Sequence, residues 1–165
     1  AAKQNDLNLL LNQEPKNDWV KINKFANNTP YIPIQIVEYL LTAIFIEWRF
    51  EVKQVTTIAN SVVVVGRLYV RNPVSNDFDW QDGIGAAPIQ TKSGAAATDF
   101  SQVNTNAVQL AAPAAESYAL KDAAEKFGKI FGKDINRKDV IEIAPAIQNK
   151  AAALAMKLEQ LQKIT

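Results

Sequence analysis

Neither cysteine nor histidine occurs in the chain. The first absence removes disulfides, thiol nucleophiles and thiolate metal ligands, and it suits a reducing compartment. The second removes Ser–His and Cys–His catalytic pairs and every zinc site that needs an imidazole. No apolar run approaches the roughly 18–20 residues of a membrane-spanning helix. The opening AAKQNDLNLL has neither the basic-then-apolar order nor the small-residue cleavage site of a secretory leader, so none is expected. Phosphate-cradling loops are missing too. GKIFGKD is one residue short between its glycines and has Asp134 where an ATP-binding loop needs a hydroxyl. GIGAAP lacks the third glycine and the following helix of a dinucleotide fingerprint. These gaps point away from an enzyme and from any cofactor or resident metal.

What is present describes a globular chain. The 165 residues suffice for one domain with extensions, and 48% apolar content supports a core. Net charge is only +1, but it is unevenly spread. Residues 47–71 hold four basic and two acidic side chains, and residues 121–138 hold six and three. Between them, residues 72–118 hold one basic side chain, Lys92, against five acidic ones. Separated zones of opposite sign can line a basic groove or stack copies of the chain head to tail. A solvated, neutral surface is the plain alternative.

Along the chain, NDLNLLLNQ (residues 5–13) predicts a short helix capped by Asn5 or Asp6. Residues 15–33 read as loop, with NNTP as a turn. IQIVEYLLTAIF (34–45) has Ile36, Val37, Leu40, Leu41 and Ile44 at helical spacing. The period then becomes two. In EWRFEVKQV, Trp48, Phe50 and Val52 face one way while Arg49, Glu51 and Lys53 face the other. In SVVVVGRLYVRN, Val62, Val64, Leu68 and Val70 oppose Val63, Val65, Arg67, Tyr69 and Arg71. After the turn NPVSND, FDWQDGIG alternates again. Three strands on short links predict an antiparallel meander. Residues 91–106 are small and polar and predict a flexible loop. A long helix is expected over 114–131, with Pro113 near its start, where proline is tolerated. AAALAMKLEQLQKI predicts a tail helix with Leu154, Leu158 and Leu161 on one stripe. The expected class is α+β: a three-stranded meander packed by helices on one face. The expected parts are an N-terminal helix and arm (1–30), a core (31–135) and a C-terminal helical extension (136–165).

On the wheel of the long helix, Leu120, Ala123, Ala124, Phe127, Ile130 and Phe131 share the face meant for the sheet. Lys126, Lys129 and Lys133 form a band opposite, and Lys121 stands on the other flank of the apolar stripe. Gly128 costs about 1 kcal/mol against alanine in a helix, which suits a place where something approaches the backbone. Gly132 suits a helix end.

The stretch ALKDAAEKFGKIFG resembles the long helix of the Rad fifty-two superfamily of single-strand annealing proteins, through Leu120, Lys121, Ala123, Phe127, Gly128 and Gly132. The order agrees over residues 31–133: a helix leading to a tryptophan-bearing strand in YLLTAIFIEW, a strand of valines, then a strand ending in Gly83-x-Gly85. Asp122 and Glu125 stand where that family often has arginines, and the basic residue usual before the first strand is replaced near Gln35 and Ile36. The resemblance implies ATP-independent binding of single-stranded DNA and annealing of complementary strands in recombination and repair. It further implies a homo-oligomeric ring or filament, work in the cytoplasm (a bacterial host's if the chain is phage-encoded), and an exonuclease and a host single-strand-binding protein as partners. It carries Lys121 over as a DNA contact. The sheet supplies further candidates from its own pattern: Arg49 and Lys53, then Arg67, Tyr69 and Arg71, basic residues with an interleaved aromatic. Lys126, Lys129 and Lys133 are the alternative basic track. Three other readings stay open: a solvated strand face with cross-strand pairs such as Glu51 to an arginine, a structural oligomer of virion type, and an RNA-binding module. A nuclease built on Asp77, Asp79 and Asp82 is disfavoured, because Asp79 and Asp82 alternate onto opposite faces.

Overall fold

A computed structural model describes residues 2–133, 135, 136, 155, 158, 159 and 161. Its elements are helix α1 (Ala2–Leu11), strands β1 (Lys21–Asn23) and β2 (Thr29–Tyr31), helix α2 (Ile34–Phe45), strands β3 (Trp48–Ile58), β4 (Ser61–Arg71) and β5 (Phe78–Pro88), and helix α3 (Ala107–Glu125). The expected α+β class holds: β3, β4 and β5 form an antiparallel sheet in sequence order, and α3 packs against β4 and β5. No helix among the described residues is long and apolar enough to cross a membrane.

α2 occupies the predicted residues. Val37, Leu40, Leu41 and Phe45, at helical spacing, are its buried positions. The helix stops at Ile46, whose φ of 69° is left-handed, and Glu47 N–H donates back to Phe45 O at 2.7 Å, turning the chain straight into β3. β3 and β4 pair through the two-residue turn at Ala59 and Asn60, and a bulge at Lys53 shifts the register between Val52 and Gln54. β4 returns to β5 through residues 72–77. The buried Asn72 organises that turn: its Oδ1 accepts from the amides of Val74 (2.8 Å) and Ser75 (3.3 Å), while its Nδ2 donates to Gln4 of α1 (3.2 Å) and Asp79 (3.3 Å).

The core lies between the sheet and the helices. One cluster joins Leu7 and Leu11 of α1, the buried face of α2, Leu68 and Val70, and Leu120, Ala123, Ala124, Ile130 and Phe131. The other joins Val62, Val64 and Ala87 to Ala107, Ala111, Ala115 and Ala119. Side-chain volume is nearly absent where α3 meets β5. A Cβ on Gly83 would lie 2.1 Å from Ala119 O, and one on Gly85 would lie 2.2 Å from Ala115 O. Alanines four apart on the helix and glycines two apart on the strand let the two backbones touch.

Several expectations are corrected. α1 begins at Ala2, ahead of the expected cap at Asn5 or Asp6, because its buried stripe is Leu7 and Leu11 and Gln4 is needed inside the helix to reach Asn72. The stretch read as loop contains the β1–β2 hairpin, with NNTP at its turn: Asn27 and Asn28 have φ of 53° and 55°. The segment 91–106 is closed on itself by a Thr91–Val103 bridge, with Lys92 N–H on Gln102 O (2.8 Å) and Asn104 N–H on Gln90 O (2.9 Å). α3 starts at Ala107, so Pro113 sits inside it. An interior proline costs about 3 kcal/mol, and burial of Ala107 and Ala111 on Val62, Val64, Ala87 and Ile89 offsets it. α3 also ends at Glu125, short of Phe131. A Cβ on Gly128 would lie 2.1 Å from Leu11 O, so after the helix ends the chain packs bare backbone on the end of α1. Lys129–Phe131 follow as a short 3-10 turn closed by Gly132 at φ 95°. Of the expected tail helix, Ala155, Leu158, Glu159 and Leu161 are helical, and the rest lies outside the described residues.

The backbone contact gives a direct test. Gly85→Ala should cost about 3 kcal/mol or more, because neither β5 nor α3 can retreat without opening the sheet. Gly94→Ala, with nothing within 4 Å but φ of 84°, should cost only about 1 kcal/mol. Urea denaturation of both variants checks this ordering.

Candidate nucleic-acid interface

Strand alternation places Arg49, Glu51, Lys53, Arg67, Tyr69, Arg71, Phe78, Trp80, Asp82 and Ile84 on the sheet face turned away from α3. Five candidates from the sequence therefore come together: Arg49, Lys53, Arg67, Tyr69 and Arg71. β5 adds an unexpected stripe, since its large apolar residues face outward with the arginines while its glycines face the helix. The result is a ladder of guanidinium groups on rings. Arg49 lies 4.6 Å from the Tyr69 ring centre, Arg67 3.8 Å from Trp80, and Arg71 4.9 Å from Phe78.

Most of these cations already have an anion. Arg67 makes a two-pronged bond to Asp82, Nε to Oδ1 at 2.7 Å and the terminal nitrogen to Oδ2 at 3.1 Å. That bond raises the Arg67 pKa and holds the Asp82 carboxyl below its ordinary value. Arg71 Nε stands 2.8 Å from Glu47 Oε2, and Lys53 Nζ stands 3.1 Å from Glu51 Oε1. Glu51 therefore pairs along its own strand, although it sits directly opposite Arg67 in register. Arg49 is the cation of this face with no ion pair among the described residues. The face is close to neutral, and its ring faces are covered by guanidinium groups.

Lys121 is elsewhere. On α3, Ala115, Ala119 and Ala123 meet the sheet, and Lys121 is turned by roughly 200° from Ala119. It points away from the sheet, so the helix separates it from the arginine ladder. There it lines a groove of about 310 Å³ with Tyr31 at the end of β2, Ile34 and Gln35 in the first turn of α2, and Ser117 and Tyr118 on α3. The Lys121 ammonium lies 5.2 Å from the Tyr31 ring centre and 5.9 Å from that of Tyr118. It has no ion pair among the described residues. Burial lowers its pKa, and Glu125, one turn on, partly opposes this. Both tyrosines stay exposed, Tyr118 by 50%. The groove thus offers a cation short of counter-charge between two rings.

Lys126, Lys129 and Lys133 all follow the last residue of α3. Lys126 donates to Asp82 O and stands 3.9 Å from Asp122. Lys129 is 4.0 Å from Glu14, and Lys133 is exposed beyond Gly132. The band expected on one helix face fails because the helix has already ended. The two acidic departures from the family pattern have distinct places. Asp122 accepts the Ile84 amide of β5 at 2.9 Å, while burial, with Asp122 adding to it, pushes the Glu125 carboxyl up to about 7.

Sequence reasoning missed Tyr31 and Tyr118. Nothing in the local pattern marks them, because they meet only through the packing of β2 and α2 over α3. No protein-family model matches the chain, and no curated protein matches it.

Glu125 makes stability depend on pH. Its folded pKa of about 7 exceeds the ordinary 4.5, so between those values the folded chain holds a proton that the unfolded chain has lost. Stability from this group is full below about pH 4.5 and declines as pH rises through 7. Glu125→Gln should remove the decline, raising stability at pH 8 by about 1 kcal/mol, a figure discounted for the half-exposed carboxyl, and leaving it unchanged near pH 4.5. Melting temperatures of parent and variant at the two pH values check the sign.

Proposed function

We propose that this chain binds single-stranded DNA and anneals complementary strands without ATP, as a ring or filament of identical subunits. The observation that carries the reading is Lys121: a half-buried cation without an ion pair among the described residues, in an open groove between two exposed tyrosines. A single strand is bound by neutralising phosphates and stacking bases, and this groove offers both to a ligand that can leave its base edges free. The resemblance of ALKDAAEKFGKIFG and of the element order around it supports the same reading. No covalent step is involved; the protein orders the strand and cancels its charge. In this reading the exonuclease and single-strand-binding partners expected from the resemblance act before and beside it in the cytoplasm.

A second reading, a structural self-assembling oligomer, is favoured by the outer sheet face. Paired charges with exposed Phe78, Trp80 and Ile84 suit contact with protein better than contact with phosphate. A large particle by light scattering that neither binds nor anneals DNA would select it.

Lys121→Ala should weaken binding of labelled single-stranded DNA by about 1–3 kcal/mol and reduce the salt slope of log affinity by about 0.7. Tyr118→Ala should weaken binding by a similar amount with little change in slope. Fluorescence anisotropy across a salt series, paired with an annealing assay, checks both. Wild-type affinity in the folded Lys121→Ala variant would remove this groove from the site.

A further inference from the structure

We infer that Glu125 is the proton site of the Lys121 groove: the single strand binds together with a proton, which the Glu125 carboxylate takes from solvent as a phosphate reaches Lys121. The inference rests on the single-strand reading of that groove and makes its affinity a function of pH. The family resemblance puts an arginine where Glu125 stands, so in this chain a charge that pH sets replaces a fixed one.

Helix geometry gives the placement. At 100° per residue, Ala114, Tyr118, Lys121 and Glu125 fall within about 60° of arc on α3. The first three line the groove, so Glu125 continues the same wall one turn beyond Lys121. Both residues are half-buried. Their charges act on each other, yet Lys121 makes no ion pair among the described residues. Asp122, the other carboxylate of this turn, is already engaged. It accepts the Ile84 amide at 2.9 Å and stands 3.9 Å from Lys126.

The other walls bring no fixed charge. β2 contributes the phenol of Tyr31, and the start of α2 contributes Pro33, Ile34 and Gln35. Glu38, the next ionisable residue of α2, is exposed. Past α3, Lys126 donates to Asp82 O and Lys129 stands 4.0 Å from Glu14. Among the described residues, the charges acting on Glu125 are Asp122 and Lys121.

A carboxylate in this wall has the same sign as the ligand. Burial first, and then Asp122, push its pKa up to about 7 in the free chain. A phosphate on Lys121 adds negative charge one turn away, in a poorly solvated groove, and raises it further. Above about pH 7 the free groove therefore carries a carboxylate and the bound groove a carboxylic acid. Binding takes up a proton there, and affinity falls as pH rises. Below that pH the proton is already in place and affinity levels off. Lys121, whose own pKa is lowered by burial, works in the same direction when it loses its proton, and substitution of Glu125 separates the two.

The test measures affinity of the full chain for a labelled oligothymidylate, at about pH 6 and about pH 8.5 and equal ionic strength. Thymine carries no charge across this range. The parent should bind about tenfold more tightly at the lower pH. Calorimetry at about pH 7.5, in buffers of different ionisation enthalpy, should show net proton uptake on binding. Glu125→Gln, the neutral shape of the protonated carboxyl, should lose most of the pH dependence and of the uptake, while Glu38→Gln should keep both. The uptake is read on the parent, so the test does not hang on the folding of a variant. If the parent binds equally at both pH values with no uptake, the proton site is overturned and the groove stands. If Glu125→Gln keeps the parent's pH dependence, the titrating group is Lys121 and the inference is again overturned. If the parent binds at neither pH, groove and proton site fall together.

Discussion

The contact of α3 with β5 through almost bare backbone governs the rest of the molecule. Gly83 and Gly85 leave no side chains between the strand and the Ala115–Ala119–Ala123 stripe, so the rotation of α3 about its axis has little latitude. That rotation places the Asp122 carboxylate on the Ile84 amide and turns Lys121 outward beneath Tyr31. It also excludes large residues from the inner side of β5. The strand's apolar mass, Phe78, Trp80 and Ile84, is therefore carried on the outer side.

The two surfaces that follow have different electrostatics. On the outer face, carboxylates at Glu47, Glu51 and Asp82 neutralise three of four cations. Little field reaches solvent from such a surface, and exposed ion pairs of this kind add little stability. In the groove the cation has lost part of its hydration and has no ion pair among the described residues, and the carboxyl that acts on it, Glu125, is held toward its neutral form by its own burial. An anion entering there would replace missing solvation and would not have to displace a bonded carboxylate, which is why the proposed function assigns the phosphate to Lys121 although the arginines lie on the outer face.

Much of the fold was legible because long elements announce their period. α2 and the three long strands occupy the expected residues, and the facing of Arg67, Tyr69 and Arg71 follows from alternation alone. The failures share a cause: local signals were outweighed by packing. Pro113 looks like a helix start, yet the buried alanines before it extend α3 by another six residues (Ala107 to Ala112). Phe127 and Gly128 continue the wheel on paper, yet the helix ends at Glu125 and Gly128 packs its bare backbone on Leu11. The β1–β2 strands have three residues each, too few for alternation to show. The groove was half legible. Lys121 came from a resemblance, while Tyr31 and Tyr118 become its neighbours only in three dimensions.

The bonds from α3 to β5 also bear on how the sheet can grow. An antiparallel ribbon running through successive subunits needs two free edges, one on β3 and one on β5. On β5, the Ile84 amide is taken by Asp122 and the Asp82 carbonyl by Lys126, so two backbone groups in the middle of that edge are already engaged by α3 and the residue after it. Among the described residues β3 has an unpaired edge, interrupted by its bulge. Two copies could join β3 to β3 about a two-fold axis, but such a pair is closed and adds no third. Growth of the sheet through β5 would first have to release those two side chains, so copies of this chain would meet at lower cost through faces and helices.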